Sequence, residues 1–345
     1  MEYRYIGKSG LRVTPICMGT MSFGSWSDKK ESFKILDTAY DRGINFFDTA
    51  ELYSVPARAE TYGATEKIIG TWLKKTGNRD KVVIGSKIAG SGAYTAHIRG
   101  NGFAKEAIIS AVEGSLKRLQ TDYIDLYQLH WPERGVNCFG VRDYPYKTAT
   151  KEAENHLEIL ETLSELIKQG KIRSAGLSNE TPWGTMQYLQ TAKDHNLPRM
   201  STIQNSYSLI HRAYEYGMSE VSLRENIGLL VYSPLGFGVL SGKYLNGKMP
   251  ADSRVKLYPN YNRYSSAQSE RAVMEYQKLA HKHGMTLAEM SLAFVNQLPF
   301  VTSNIIGASK LSQLKENIGS IHIDLSDDII SEINRIHTVM PNPAP

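Results

Sequence analysis

Four polar residues stand at or just after the ends of apolar, strand-like runs. The run INFFDTAELY, residues 44–53, places Asp48 at its end and Tyr53 five residues further on. Lys87 ends the run VVIGSK, and His130 ends the apolar part of YIDLYQLHWP. An acid, a phenol, an amine and an imidazole at three successive strand ends form a plausible proton-transfer group. The spacing therefore predicts a site where a bound substrate gains or loses a proton.

Reduction of a carbonyl group suits this set, because it requires hydride at carbon and a proton at oxygen. A phenol has an ordinary pKa of about 10 and is a poor donor at neutral pH unless its anion is stabilised. We expect the Lys87 ammonium to stabilise the Tyr53 anion, and Asp48 to pair with Lys87, which is costly to bury alone. We expect His130 to be neutral and to hold the substrate oxygen through one ring N–H.

Each of these residues also has an ordinary structural explanation. Asp48 could cap the turn that begins at Thr49, Lys87 could be a solvated strand end, and Tyr53 could simply pack. Their joint occurrence on three consecutive strand ends favours chemistry. Metal-assisted hydrolysis with Asp48 and His130 as ligands is a weaker alternative, because Lys87 would repel a cation and no third ligand stands out. We therefore expect no metal.

The elements that must position these residues alternate along the chain. Short β-branched or apolar runs and amphipathic stretches of helical period follow one another about eight times, which is typical of βαβ units and a parallel sheet. The predicted strands are 16–19, 44–48, 82–87, 124–130, 172–178, 201–204, 228–232 and 304–307. The predicted helices include 29–42, 64–75, 103–119, 154–169 and 266–283.

Two features favour a closed barrel over an open doubly wound sheet. No GxGxxG follows the first strand, so the dinucleotide fingerprint of the open fold is missing from its expected place. Nearly every strand ends in a polar residue, and the C-terminal strand ends of a barrel converge on one face. Residues 1–345 are therefore predicted to form a single (β/α)8 TIM barrel, with an N-terminal β-hairpin turning at 8–10. Long loops are expected at 52–64, 131–151 and 234–264.

Composition excludes several other classes of protein. A chain of 345 residues with 41% hydrophobic and 22% charged residues can bury a large core. The net charge of +5 is spread without a basic stripe, so no nucleic-acid partner is expected. Two cysteines fit a reducing compartment. Since we find no signal-peptide pattern and no apolar run near the roughly 18 residues that span a bilayer, we expect a cytoplasmic protein without membrane contact. Oligomeric state cannot be read.

Six longer motifs surround the chemical residues: GTMSFG at 19–24, DTAELY at 48–53, LKRLQTDYIDLYQLH at 116–130, GKIRSAGLSN at 170–179, YSPLGFGVLSGKY at 232–244 and IIGASKLSQLKENI at 305–318. With them the chain resembles the aldo-keto reductase superfamily over essentially its whole length, and the bacterial Tas-type reductases most. The resemblance implies an NADPH-dependent reductase of a small-molecule carbonyl substrate, an aldehyde or a ketone. Its catalytic tetrad falls on Asp48, Tyr53, Lys87 and His130.

The resemblance also implies a set of cofactor contacts. These are Gly19, Thr20, Met21 and Asp48 near the nicotinamide, Ser178, Asn179 and Gln204 at its carboxamide, Tyr232 stacked on its ring, Ser233, Pro234, Leu235, Gly238, Leu240 and Lys243 around the pyrophosphate, and Arg254, Ser309, Gln313, Glu316 and Asn317 at the adenosine end. The residue types agree, since serine and asparagine can pair with an amide and a tyrosine offers a flat face. Lys243, Arg254 and Lys310 carry positive charge for a 2′-phosphate, which favours NADPH over NADH.

Some positions depart from the commoner pattern of the family. Ser54 begins a longer insertion, SVPARAETYG, where many relatives have glycine after the tyrosine, and Gln313 stands where some have an arginine near the 2′-phosphate. The shape of the loop and the strictness of the NADPH preference therefore stay open. Loop aromatic residues could form a substrate wall: Trp26, Tyr94, Trp131, Phe139 and Tyr144. Because the family also contains channel-associated β subunits, an NADPH-binding regulatory or interaction module with little turnover is the alternative function.

Overall fold

A closed barrel of eight parallel strands forms the centre of the computed structural model, which describes residues 2–147 and 155–344. Two short antiparallel strands, β1 (Arg4–Tyr5) and β2 (Arg12–Val13), precede it. The barrel strands are β3 (Ile16–Gly19), β4 (Phe46–Asp48), β5 (Val83–Ile88), β6 (Ile124–Leu129), β7 (Ile172–Ser178), β8 (Thr202–Ser206), β9 (Gly228–Tyr232) and β10 (Val301–Ile306). The circle closes because β10 pairs with both β3 and β9.

Helices alternate with the strands and pack around the barrel. They are α1 (Lys29–Asp41), α2 (Ala64–Thr76), α3 (Lys105–Leu119), α4 (His156–Lys168), α5 (Pro182–Asp194), α6 (Met218–Glu225), α7 (Arg254–Leu257), α8 (Ala267–Lys282), α9 (Leu287–Asn296), α10 (Leu311–Gly319) and α11 (Asp327–Val339). Side-chain caps fix several N-termini, as where Asp28 accepts from the Glu31 amide of α1. Over the described ranges, no helix combines the length and apolar character that crossing a membrane requires.

The predicted (β/α)8 barrel and N-terminal hairpin are confirmed. Three predicted strands, 16–19, 172–178 and 228–232, have the observed bounds. The strand predicted from residue 44 begins only at Phe46, since the Asn45 amide donates to the Thr14 hydroxyl at 3.3 Å, and the Asn45 side chain bonds to the hairpin as well. Its Oδ1 accepts from the Thr14 amide at 2.8 Å, and its Nδ2 donates to the Arg12 carbonyl at 2.9 Å. The helix predicted at 154–169 begins at His156, and residue 154 lies outside the described residues.

The hairpin closes one end of the barrel. Ile6 and Val13 of the hairpin are fully buried and pack in one cluster with the inward-facing strand residues Cys17, Phe46 and Leu126. A larger cluster fills the layer between the strands and the surrounding helices. The C-terminal strand ends are therefore the open face, as in other barrels of this kind.

Gly70 of α2 provides a test of how closely helices α2 and α3 pack. A Cβ at this position would lie 2.4 Å from the Arg118 carbonyl oxygen and 2.6 Å from the Leu119 carbonyl carbon. Because backbone atoms cannot move aside, we expect Gly70→Ala to lower the free energy of unfolding by about 1 to 3 kcal/mol. Denaturant titration of the purified variant measures this.

Gly319 is the matched control, since a Cβ there meets nothing within 4 Å. We expect Gly319→Ala in α10 to leave stability unchanged or to raise it by up to about 1 kcal/mol. Equal unfolding free energies for the two variants would contradict the packing described for α2.

Candidate active site

A buried ion pair between Lys87 and Asp48 lies at the open end of the barrel. The Lys87 ammonium donates to Asp48 Oδ1 at 2.8 Å, to Oδ2 at 2.7 Å and to the Thr49 carbonyl at 2.8 Å. All three of its donors are thus used, and Lys87 has no exposed surface. No cluster of three or more His, Cys, Asp or Glu side chains within 2–147 and 155–344 could hold a metal ion.

Gln204 connects this ion pair to the other side of the barrel. Its Nε2 donates to Asp48 Oδ1 at 2.8 Å and contacts Gln128 Oε1 at 3.3 Å. Strands β4 and β8, which carry Asp48 and Gln204, stand opposite one another in the closed strand order. The side-chain nitrogen of Gln204 is therefore committed to the protein, and its Oε1 is the atom available to a bound amide.

Tyr53 and His130 lie beside the ion pair. Their ring centroids are 5.6 Å apart in an edge-on arrangement, and the Lys87 ammonium is 5.1 Å from the centre of the Tyr53 ring. Tyr53 is 8% exposed and His130 is 7% exposed, so both rings are largely removed from water. The structure therefore brings together all four residues predicted from the strand ends.

The pKa of Tyr53 is shifted in the direction opposite to the sequence-based expectation. Burial raises the pKa of Tyr53 well above 10, and the Asp48 carboxylate raises the pKa further. The net lowering of the Tyr53 pKa expected from Lys87 is not found, because burial and the Asp48 carboxylate, which also pairs with Lys87 at 2.7 Å, outweigh the ammonium. Tyr53 consequently keeps its proton at neutral pH, which is the state that a proton donor needs.

His130 is neutral, as its residue type and burial suggest. Burial lowers the pKa of His130 well below 6.5, and the nearby Lys87 charge lowers the pKa in the same direction. Its Nδ1 is buried, and none of the described groups bonds to it. A buried N–H without a partner is less tolerated than a buried acceptor. This favours the tautomer whose proton is on Nε2.

The predicted nicotinamide contacts on β7, β8 and β9 form one hydrogen-bonded group. Ser178 Oγ donates to the Gln204 carbonyl at 2.8 Å, and Asn179 Nδ2 donates to the His130 carbonyl at 2.9 Å. The Tyr232 hydroxyl donates to Asn179 Oδ1 at 2.6 Å. Because a carbonyl oxygen has two lone pairs, Asn179 Oδ1 can still accept one further bond. This group lies directly against the histidine of the tetrad.

The segment after β3 supports the same site from the other side. The Thr20 hydroxyl donates to the Asp48 carbonyl at 2.9 Å, and the Met21 carbonyl accepts from the Val55 amide at 3.1 Å. A Cβ at Gly19 would lie 2.8 Å from Ile305 Cγ2, so only glycine fits between β3 and β10 here. These contacts fasten the loop that carries the tyrosine to the barrel.

The loop after β9 contains the residues expected around a pyrophosphate. Ser233, Pro234 and Leu235 lead into a 3-10 turn in which Leu240 is fully buried. Gly238 has φ +89°, and a Cβ there would come within 2.8 Å of the Lys243 ammonium. The glycine therefore allows this cation to approach the backbone of the loop closely.

Two cations of this loop fit an anionic group. Neither Lys243 nor Arg254 makes an ion pair with any of the described carboxylates. The Arg254 guanidinium lies 4.4 Å from the Trp26 ring centre and 4.8 Å from that of Phe237, and burial lowers the pKa of Arg254 to about 10. Lys310 differs, because it already pairs with Asp252 at 2.8 Å on the surface. Its charge is therefore partly compensated, although this pair uses only one of its three N–H donors.

Four of the five predicted adenosine contacts lie after β10 and within α10, whereas the fifth, Arg254, lies in the loop after β9. Gln313 Oε1 accepts from both the amide and the hydroxyl of Ser309, at 3.1 and 3.2 Å. Asn317 Nδ2 donates to the Gly307 carbonyl at 3.2 Å. The Glu316 carboxylate instead accepts from the Thr286 hydroxyl at the start of α9. Ser309, Gln313 and Asn317 thus bond within the segment after β10 and α10, whereas Glu316 bonds to a neighbouring helix, α9.

Glu51 is a site residue that sequence reasoning missed. Glu51 follows Asp48 by three residues and is fully buried. Its carboxylate accepts from both Nη1 and Nη2 of Arg99, the latter at 2.8 Å. Its carboxylate accepts from the Ala89 amide at 2.6 Å, and its carbonyl accepts from the Gly63 amide. Glu51 thereby ties the tyrosine loop to the end of β5. Its position inside DTAELY was the signal, but nothing in the sequence identifies Arg99 as its partner.

Aromatic residues line the approach to the tetrad. Trp131 lies 5.0 Å from His130 between ring centroids, and Phe139 lies 5.8 Å from Trp131. Trp26 stacks on Tyr258 at 5.3 Å. Tyr144 is exposed and has no such ring contact among the described residues. A cavity of about 470 Å³ lies nearby, lined by Pro56, Arg58, Tyr94, Leu257, Tyr258, Pro259, Asn260 and Tyr261.

Comparison with known proteins relates this arrangement to a family. The sequence model of the aldo/keto reductase family matches residues 15–338. The chain is 47% identical to Protein tas of Escherichia coli over 347 residues, which is 100% of both chains. It is 34% identical to the uncharacterized oxidoreductase YrpG of Bacillus subtilis, over 97% of this chain and 96% of that protein. It is 38% identical to an aldo-keto reductase of Babesia bovis, over 74% of this chain and 96% of that protein.

Substitution of Glu51 tests whether its ion pair supports the site. Glu51→Gln leaves the Arg99 guanidinium without its counter-charge in a largely buried position. We expect the free energy of unfolding to fall by about 3 to 5 kcal/mol. The exposed pair Glu220–Arg224 on α6 is the control, and Glu220→Gln should cost less than about 1 kcal/mol. Similar losses in the two variants, measured by denaturant titration, would show that Glu51 has no special role.

Proposed function

We propose that this chain, which belongs to the aldo/keto reductase family and is an oxidoreductase, reduces aldehydes or ketones to alcohols with NADPH. The observation that carries the proposal is the grouping of Tyr53, His130, Lys87 and Asp48 at the open end of the barrel. A protonated phenol beside a neutral imidazole and a buried ammonium is the set that protonates a carbonyl oxygen during reduction.

In the proposed reaction, bound NADPH supplies hydride to the carbonyl carbon. The carbonyl oxygen then gains negative charge and takes the proton of the Tyr53 hydroxyl. The raised pKa of Tyr53 keeps this proton in place until the oxygen becomes basic enough to accept it. Neutral His130 donates its Nε2 hydrogen to the same oxygen, which orients it and stabilises its charge.

The ion pair acts at the moment when Tyr53 loses its proton. The Lys87 ammonium, 5.1 Å from the Tyr53 ring centre, stabilises the tyrosinate that forms. Asp48 makes it possible to bury Lys87 as a cation, and the bond from Gln204 holds the carboxylate in place. Lys87 and Asp48 therefore position the proton donor, Tyr53, and neither of them exchanges a proton in the proposed reaction.

The cofactor fits residues whose hydrogen-bonding capacity and charge remain available. Tyr232 offers a ring face, and Gln204 Oε1 together with Asn179 Oδ1 can accept from a carboxamide. Lys243 and Arg254 supply positive charge that the described carboxylates do not neutralise. Charge of this kind suits the phosphates of the cofactor and supports NADPH over NADH as the preferred form.

Substitution of Tyr53 tests the proposed proton transfer. We expect Tyr53→Phe to lower kcat for NADPH-dependent reduction of aldehydes and dicarbonyls by about 100- to 10,000-fold, because the proton donor is removed. NADPH binding, followed by fluorescence, should persist. Tyr146→Phe is the control, since Tyr146 is 70% exposed. If wild type binds NADPH but turns over no carbonyl compound in a broad panel, and Tyr53→Phe behaves identically, the chain is a cofactor-binding module instead.

The pH dependence of reduction follows from the raised pKa of Tyr53. The protonated form is the active one, so activity is lost only as pH rises through the pKa of Tyr53. Because that pKa lies well above 10, we expect kcat/KM for reduction to show no alkaline limb below about pH 9. Initial rates in buffers of matched ionic strength measure this. A limb near pH 7 to 8 that Tyr53→Phe abolishes would mean that the tyrosine pKa is lowered instead.

A further inference from the structure

The buried and half-buried arginines in the described part of the chain differ in how their charge is compensated. Six of them make ion pairs with carboxylates: Arg79, Arg99, Arg118, Arg134, Arg199 and Arg212. Arg4 donates to two backbone carbonyls. Arg254 and Arg263 make no ion pair with a carboxylate in the described part of the chain. These two lie in the long loop after β9, at the open end of the barrel.

Arg263 is incompletely satisfied by the protein. Its Nη2 donates to the Tyr264 hydroxyl at 2.8 Å, whereas its Nε is buried and has no partner among the described groups. A guanidinium has five N–H donors and is always charged, so removing it from water without a counter-ion is costly. An anion that binds the remaining Nη hydrogens would compensate the charge of this group, although the buried Nε would stay out of its reach.

Ring contacts lead from the tetrad to Arg263. Its guanidinium carbon lies 6.0 Å from the ring centre of Phe139, which contacts Trp131, which in turn contacts His130. It also lies 5.7 Å from the ring centre of Tyr232. Arg263 therefore belongs to the wall that a molecule bound between His130 and Tyr232 would face.

The rings around Arg263 favour a particular geometry of binding. The Phe237 and Tyr264 ring centres are 5.1 and 4.7 Å from its guanidinium carbon. Tyr264 takes one N–H of Nη2 through its hydroxyl, and Nε is buried, so the remaining Nη hydrogens form the side of the guanidinium that can bind a ligand. A carboxylate matches that side with two parallel hydrogen bonds.

We propose that Arg263 binds an anionic oxygen group, such as a carboxylate, on the carbonyl substrate. The inference rests on the proposed reductase function for the identity of the reacting group. It assigns the substrate class as aldehydes or ketones that carry a negative charge away from the carbonyl. Arg254, beside Trp26 and in the same loop as Lys243, is left to the cofactor.

A matched pair of substrates tests this assignment. The rates of NADPH-dependent reduction of 4-carboxybenzaldehyde and of its neutral methyl ester are compared as the ratio of their kcat/KM values. We expect Arg263→Met to lower the acid-to-ester ratio by about 10- to 100-fold, since a hydrogen-bonded ion pair is lost. Arg263→Lys, which keeps the charge but not the two parallel bonds, should give an intermediate ratio.

The control is Arg271→Met, which removes the same charge from an exposed position on α8 and should leave the ratio unchanged. Thermal denaturation of all variants checks that they fold. An unchanged ratio in Arg263→Met would overturn the proposal. So would a weaker affinity for NADPH with the ratio preserved, because Arg263 would then serve the cofactor phosphates.

A binding measurement separates this inference from the proposed function. Calorimetry with 4-(hydroxymethyl)benzoate and NADPH, a pair that cannot react, reports on Arg263 even if neither aldehyde is reduced. Binding that is weakened by Arg263→Met and not by Arg271→Met supports the anion site whatever the turnover. Equal binding by the two variants overturns it.

Discussion

The buried ion pair of Lys87 and Asp48 is the constraint on which the site depends. An ammonium with no exposed surface is stable only if its charge and all its N–H groups are matched, and here two carboxylate oxygens and a backbone carbonyl match them. The partners come from β4, β5 and the segment that leads to Tyr53. The bond from Gln204 to Asp48 connects the ion pair to β8 on the opposite side of the barrel. Any shift of one strand end would therefore leave a buried charge unpaired.

Charged side chains are compensated differently in the buried part of the protein and at the rim of the barrel. In the buried part of the protein, Glu51 after β4 and Glu66 on α2 have no exposed surface, and each is bound by an arginine. At the rim, Lys243, Arg254 and Arg263 have no carboxylate partner among the described residues. Buried pairs hold the proton-transfer group in one arrangement, whereas unpaired cations provide positive charge where small anions can reach it. In the proposed function those anions are the phosphates of the cofactor and a charged group of the substrate.

Much of this site could be predicted from the sequence because its residues stand at strand ends. Once the alternation of strands and helices predicts a barrel, Asp48, Lys87 and His130 must converge, whatever the details of packing. The contacts that join distant parts of the chain could not be predicted in this way. The bond from Gln204 to Asp48 and the pair of Glu51 with Arg99 depend on side chains that meet only after folding. Periodicity contains no information about such pairs.

The raised pKa of Tyr53 could not be predicted for the same reason. Residue types alone place a lysine near the tyrosine and suggest a lowered pKa, but the sign depends on how deeply the ring is buried and how closely Asp48 neutralises Lys87. Similarly, Lys310 has the right charge for a phosphate but is already paired with Asp252. Charge can be read from a sequence, whereas the compensation of that charge is a property of the folded structure.

A crystal structure of the complex with NADP⁺ tests the central claim most directly. We expect the nicotinamide ring to lie on Tyr232 and its reactive carbon to face the Tyr53 hydroxyl. Between them there should be room for a carbonyl carbon about 3 to 3.5 Å from the ring. A nicotinamide bound away from Tyr232, or separated from the Tyr53 hydroxyl by protein atoms, would contradict it.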